Sequence, residues 1–95
     1  MIPKTTNIPH PGEILLEEFL RPMGVSQVAF ARHLGVSLQR LNEIIRGKRS
    51  ITPATAWLLS QAFGTSPELW TNLQVTYDLA LARPARAIRR IKRAA

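Results

Sequence analysis

The sequence contains no cysteine. This absence excludes a disulfide framework, a thiolate zinc site and a cysteine nucleophile, and it is typical of proteins from a reducing compartment. Long apolar runs are also missing: the longest have four residues, as in Ala56–Leu59, whereas about 18 are needed to span a bilayer. The first 12 residues include three prolines and no apolar run, so we predict no signal peptide. We therefore expect a cytoplasmic protein with no membrane partner.

Acidic residues are scarce. Six Asp and Glu stand against 13 Lys and Arg, which gives a formal net charge of +7. The excess is concentrated in two blocks: residues 32–49 carry five basic groups and one acid, and residues 83–95 carry six basic groups and no acid. Polyanions are the natural partners of such blocks, and nucleic acid is the first of them to consider.

Strand signals are almost absent, whereas signals for helix starts and ends recur every 10–15 residues. Four of the five predicted helices follow a Ser or Thr that can act as N-cap, and glycines mark several helix ends. Ninety-five residues are enough for one small domain. The sequence therefore predicts a single all-α domain of five helices. They are Glu13–Leu20, Gln27–Leu34, Leu38–Arg46, Pro53–Gly64 and a helix from Pro67 to about Arg83, followed by a basic tail at 84–95.

The second and third predicted helices are joined by only three residues, Gly35–Ser37. Helices connected this closely cross steeply, so their contact point needs a small side chain, which Ala31 supplies. Gly35 permits a positive φ in the turn, and Val36, Leu41 and Ile44 fill the angle between the helices. This pattern predicts a repressor-like helix-turn-helix, whose second helix enters the major groove of DNA.

Helical phase assigns the side chains of the third helix. At about 100° per residue, its apolar residues face the core and its polar residues face outward. Amide, guanidinium and carboxylate groups suit the edges of bases, although a merely solvated surface is the alternative. The predicted base-contacting residues are Ser37, Gln39, Arg40, Asn42, Glu43 and Arg46. The predicted phosphate-contacting residues are Gln27, Lys48 and Arg49, for which a plain charged loop is the alternative at Lys48 and Arg49.

Three segments together resemble HigA-type antitoxins, which belong to the phage-repressor-like helix-turn-helix superfamily. They are IPHPGEIL at residues 8–15, LNEIIRGKRSIT at 41–52 and FGTSPELW at 63–70. The resemblance covers about residues 8–83. It implies a homodimer that binds a palindromic operator, neutralises a HigB-type toxin that cleaves messenger RNA, and represses the shared operon. The alternative is a stand-alone helix-turn-helix regulator without a toxin partner.

The resemblance also suggests that the toxin docks near the N-terminal arm and the first helix. A HigB-type toxin is expected to be basic, and the acidic cluster of this region is therefore the predicted contact. A two-fold axis, which reading a palindrome requires, is predicted along the last helix, whereas Trp70 is assigned to the core. The predicted toxin contacts are Glu13, Glu17 and Glu18, and the predicted dimer contacts are Leu73, Tyr77 and Leu81.

Two departures from the family limit what is carried over. Leu58 stands where relatives often have a basic residue, so a contact to the DNA backbone there is missing or Leu58 joins an apolar interface. The tail from Arg86 to Ala95 lies outside the resemblance. Pro84 separates it from the helix before it, and its charges repel one another, so we expect it to be disordered when free.

No arrangement for catalysis or for cofactor binding is visible. His10 and His33 have no further ligand at metal spacing, and a capping or surface role is expected for them. Glu17 and Glu18 are adjacent and point about 100° apart on a helix, which is poor geometry for paired carboxylates. We predict a non-enzyme without cofactor or metal. Ile88 and Ile91 offer only a weak case for a tail that lies on a membrane surface.

Overall fold

The computed structural model describes residues 8–93, and within them every regular element is a helix. Helix α1 consists of three consecutive segments, Pro11–Ile14, Leu15–Leu20 and Arg21–Met23, of which the middle one is π-helical. The remaining helices are α2 (Gln27–Leu34), α3 (Leu38–Ile45), α4 (Pro53–Phe63) and α5 (Pro67–Leu81). The predicted all-α class with five helices is confirmed.

Local capping explains where four of these helices begin. Ser26, Ser37, Thr52 and Ser66 each accept a hydrogen bond from the backbone N–H three residues later, at 3.0–3.3 Å. Each such bond satisfies one of the N–H groups that a helix start leaves without a partner. The predicted N-caps are therefore confirmed, and the starts of α2 to α5 agree with the prediction.

The predicted bounds of the first helix, Glu13–Leu20, were wrong at both ends. The helix starts at Pro11 because the Nδ1 atom of His10 accepts from the Gly12 N–H at 2.9 Å. It continues through Pro22 to Met23 and ends at Gly24, which adopts φ +67°. The π-helical segment ends just before that proline, where the Arg21 N–H bonds to the carbonyl of Leu16, five residues back. This wider turn precedes a residue that has no N–H to donate.

The side chain of Trp70 lies at the centre of the hydrophobic core. Trp70 is fully buried, and its ring centroid lies 5.1 Å from that of Phe19, with Phe63 a further ring neighbour. Its Nε1 donates to Thr65 Oγ1 at 3.0 Å, so burial leaves no polar atom of the ring without a partner. The predicted core role of Trp70 is confirmed. The other large side chains with almost no exposure are Leu15, Leu20, Leu41, Ile44 and Leu59.

Helices α1 and α3 meet backbone to backbone. Gly12 lies so close to the end of α3 that a β-carbon there would overlap the carbonyl oxygen of Ile44. Only glycine fits this position, because any side chain would force the two helices apart. The first turn of α1 therefore supports the last turn of α3.

Helix α5 ends at Leu81, two residues before the predicted end near Arg83. Residues 82–93 form no helix and are exposed, and residues 94–95 of the predicted tail lie outside the described part of the chain. Among residues 8–93, no helix is both long and apolar enough to cross a membrane.

Candidate nucleic-acid interface

The turn between α2 and α3 has the predicted geometry. Gly35 adopts φ +77°, and its N–H bonds to the carbonyl of Ala31 at 2.9 Å. The N–H of Val36 bonds to the same carbonyl at 3.1 Å, which closes the turn. Ala31 is 3% exposed and belongs to the hydrophobic core. The small residue and the glycine therefore do what the spacing predicted.

Helix α3 separates an apolar face from a polar one. Leu41, Ile44 and Ile45 are buried, at 1%, 2% and 9% exposure. Gln39 and Arg46, on the opposite side, are exposed. The helix is thus held by its apolar face and presents polar groups to the outside, as a recognition helix requires.

Two polar side chains of this face are held by neighbouring helices. Arg40 Nη2 donates to Thr55 Oγ1 of α4 at 2.7 Å. Asn42 Nδ2 donates to Gln27 Oε1, at the start of α2, at 3.1 Å. The second bond joins a predicted base contact to a predicted phosphate contact. The side chains of Arg40 and Asn42 are therefore held in fixed positions and do not rotate freely.

Glu43 and Arg49 form an ion pair. The Arg49 guanidinium bonds to Glu43 Oε1 through Nη2 at 2.9 Å and through Nε at 3.2 Å. Glu43, predicted to contact a base, and Arg49, predicted to contact a phosphate, are thus paired with each other. The ion pair also lowers the net positive charge that Arg49 presents to a phosphate.

Gln39, Arg46 and Lys48 have no side-chain hydrogen bond or ion pair within residues 8–93, and all three are exposed. Ser37 uses its hydroxyl oxygen to accept from the Arg40 N–H at 3.0 Å, which leaves the hydroxyl hydrogen free to donate. Of the predicted contacts, the exposed side chains with no internal hydrogen bond or ion pair in the described part of the chain are Gln39, Arg46 and Lys48.

The sequence pattern did not identify two residues of this region, Thr55 and Leu38. Thr55 was not considered because its bond to Arg40 joins residues 15 apart in different helices. Leu38, the first residue of α3, is 45% exposed although it is apolar. Its position next to the N-cap Ser37 was the signal that could have identified it.

A buried polar cluster lies under the end of α3. His10 is 8% exposed, caps α1 and packs edge-to-face on Tyr77 at 4.8 Å. Burial lowers the pKa of His10 below its usual 6.5, and the charge of Asp78 opposes this shift. Gln74 accepts from the Ile51 N–H at 2.8 Å and donates to Asp78 at 2.9 Å. The capping role expected for His10 is confirmed.

The remaining predicted residues lie on α1 and α5. Glu13, Glu17 and Glu18 are exposed, and Glu17 pairs with Arg21 at 3.2 Å. On α5, Leu73 packs against the core and Tyr77 contacts His10, so both serve the monomer at least in part. Leu81 is 59% exposed, and the same helix exposes three further apolar side chains. They are Leu69, Val75 and Leu79, at 37%, 52% and 47% exposure.

Comparison with known proteins agrees with this geometry. The helix-turn-helix family matches residues 16–70 of the chain. Virulence-associated protein I of Dichelobacter nodosus is 52% identical over 73 residues, which cover 77% of this chain and 68% of that protein. The Pseudomonas aeruginosa antitoxin HigA, solved with the higBA promoter, is 45% identical with a TM-score of 0.78, covering 80% of this chain and 83% of that one. The antitoxin GraA, solved in complex with its operator, is 38% identical with a TM-score of 0.81, covering 90% and 92%. The chain thus belongs to the helix-turn-helix family, is related to the HigA antitoxins, and is a DNA-binding protein rather than an enzyme.

Proposed function

We propose that this protein is a homodimeric antitoxin that reads a palindromic operator with α3, represses its own operon and neutralises a HigB-type toxin. The observation that carries the DNA part is the orientation of α3. Its apolar face is buried against the other helices, and Gln39 and Arg46 stand free on the opposite face. Two relatives of the same fold were solved with promoter or operator DNA.

Groups that can bind phosphate lie on both sides of the polar face of α3. Lys48 is exposed just after α3 and has no internal partner in the described part of the chain. Gln27 lies in the first turn of α2, where free backbone N–H groups favour an anion. Phosphate contacts of this kind position the protein, and the side chains of α3 then select the sequence.

A palindromic operator requires a two-fold axis, and α5 is the proposed place for it. Val75, Leu79 and Leu81 leave apolar surface exposed along this helix. Leu73 and Tyr77, also proposed for this contact, already pack within the monomer and would contribute their outer edges. A second copy of α5 would cover the exposed leucines.

The toxin contact is proposed for the acidic side of α1. Glu13, Glu17 and Glu18 are exposed there, and they are half of the six acidic residues of the chain. A basic nuclease would find its complementary charge on this side. The two basic blocks remain available for DNA.

Two measurements test the proposal. Fluorescence anisotropy with the DNA that flanks the protein's own gene should show tight, sequence-specific binding with a steep salt dependence. Co-expression with a small basic protein encoded beside that gene should restore growth that this neighbour alone stops. Operator binding without any rescue would support the alternative, a stand-alone regulator, and would overturn the antitoxin assignment. Absence of specific DNA binding would overturn both.

A further inference from the structure

The first residue of the recognition helix is apolar. Leu38 follows the N-cap Ser37, precedes Gln39, and exposes 45% of its surface. It does not belong to the hydrophobic core. A lone exposed leucine needs no explanation on an ordinary surface. An exposed leucine at this position does need an explanation, because the N-terminal end of a recognition helix is the part that reaches base edges.

The polar neighbours of Leu38 are partly engaged within the chain. The Ser37 hydroxyl oxygen accepts from the Arg40 N–H, and the Arg40 guanidinium donates to Thr55. In the first turn of α3, the exposed side chains with no internal bond are the amide of Gln39 and the isobutyl group of Leu38. The isobutyl group has no donor or acceptor and recognises only an apolar feature.

The major groove displays one apolar feature, the C5-methyl group of thymine. We propose that Leu38 is a specificity-determining residue that packs on the C5-methyl of a thymine in each half-site. This inference rests on the proposed operator binding and identifies one base that the operator contains.

The test uses DNA that differs by single methyl groups. The full chain first selects its preferred duplexes from a random pool. Each dT of the best duplex is then replaced in turn by dU, which keeps every hydrogen-bonding group and removes only the methyl. One thymine per half-site should be sensitive. Affinity should fall about fourfold for each methyl lost there, the factor expected for one methyl moved from an apolar contact into water.

Two variants separate Leu38 from the rest of the surface. Leu38→Ala should bind the dT and dU duplexes equally, with a thermal unfolding midpoint unchanged because Leu38 lies outside the core. Met23→Ala, at a site 58% exposed at the end of α1, should keep the full preference for dT. Leu38→Gln should lose the methyl dependence and favour adenine at the same position.

The outcomes are distinct. Equal affinity of the unaltered chain for dT and dU at every position, or an unchanged methyl preference in Leu38→Ala, overturns the role of Leu38 and leaves operator binding intact. Failure of the unaltered chain to enrich any duplex overturns the proposed function, and the role of Leu38 with it.

Discussion

Arg40 and Thr55 connect α3, the proposed recognition helix, to α4 through a 2.7 Å hydrogen bond from Nη2 to Oγ1. Thr55 is 3% exposed, and its hydroxyl also lies 3.2 Å from that of Thr52. Thr52 in turn caps α4 by accepting from the Thr55 N–H. The cap of one helix and a base-contact candidate on another therefore share one chain of hydrogen bonds.

Replacing Thr55 by valine removes the hydroxyl and keeps the shape. We expect Thr55→Val to lower the free energy of unfolding by about 1 kcal/mol, the usual value for a lost hydrogen bond whose donor still reaches water. Operator affinity should also fall, because Arg40 would no longer be held in place. Urea unfolding and fluorescence anisotropy measure the two effects. Thr71→Val is the matched control, since that hydroxyl only reaches the Glu68 carbonyl of its own helix; equal results for both variants would contradict the prediction.

Gln39 and Arg46 should determine sequence preference. Gln39→Ala or Arg46→Ala should weaken operator binding by about 1–3 kcal/mol and relax selectivity at one position per half-site. Lys48→Ala should instead weaken binding to all sequences alike and lower the slope of log K against log salt by about 1. Binding titrations against the operator and single-base variants distinguish these patterns. Unchanged affinity and preference in Gln39→Ala would show that α3 does not read bases.

Stability should depend on pH through His10. Its pKa is lowered in the folded chain by burial, whereas an unfolded histidine titrates near 6.5. Between the lowered value and 6.5, the unfolded chain binds more protons, so this contribution to stability is complete above pH 6.5 and declines as the pH falls below it. Protonation would also place a hydrogen on the Nδ1 atom that accepts from Gly12. Thermal unfolding from pH 8 to pH 5 should show the decline.

The variant His10→Asn isolates this contribution. Asparagine is a good N-cap and does not titrate, so α1 should keep its cap while the decline below pH 6.5 becomes smaller. An identical pH profile for the variant and the unaltered chain would assign the decline to other groups.

The acidic side of α1 should matter for the toxin and not for DNA. Reversing Glu17 and Glu18 to lysine should weaken toxin neutralisation, measured by growth of cells that express the toxin. Operator affinity should be retained. The lost ion pair between Glu17 and Arg21 is exposed, so stability should change by less than about 1 kcal/mol. If the double variant still protected the cells fully, the acidic side of α1 would not be the toxin contact.

The tail should strengthen DNA binding without selecting the sequence. Deleting Arg86 to Ala95 removes five basic residues. We expect specific and non-specific affinity to fall together, the salt dependence to flatten, and the ratio of the two affinities to stay nearly constant. If Ile88 and Ile91, now 75% and 89% exposed, instead pack on a partner subunit, the truncated chain would become monomeric. Analytical ultracentrifugation at micromolar concentration decides between these accounts.

Local sequence determined the parts of the fold that were predicted well. A serine or threonine cap and a glycine such as Gly35 act within a few residues, so their effect is readable without knowing the rest of the chain. The start of α1 was missed because His10 is an unusual cap, and its end because Pro22 is an ordinary helix breaker. The bonds of Arg40 to Thr55 and of Asn42 to Gln27 each join residues 15 apart. They depend on how the helices cross, which the sequence pattern does not specify.

The contact between Gly12 and the Ile44 carbonyl joins the helix proposed to bind the toxin to the helix proposed to bind DNA. A toxin seated on Glu13 would sit one residue from the backbone that supports the end of the recognition helix. If a bound toxin shifted this backbone contact, it would change operator affinity, and thermodynamic linkage would make the factor the same in both directions. The ratio of toxin to antitoxin in a cell would then set how strongly the promoter is repressed.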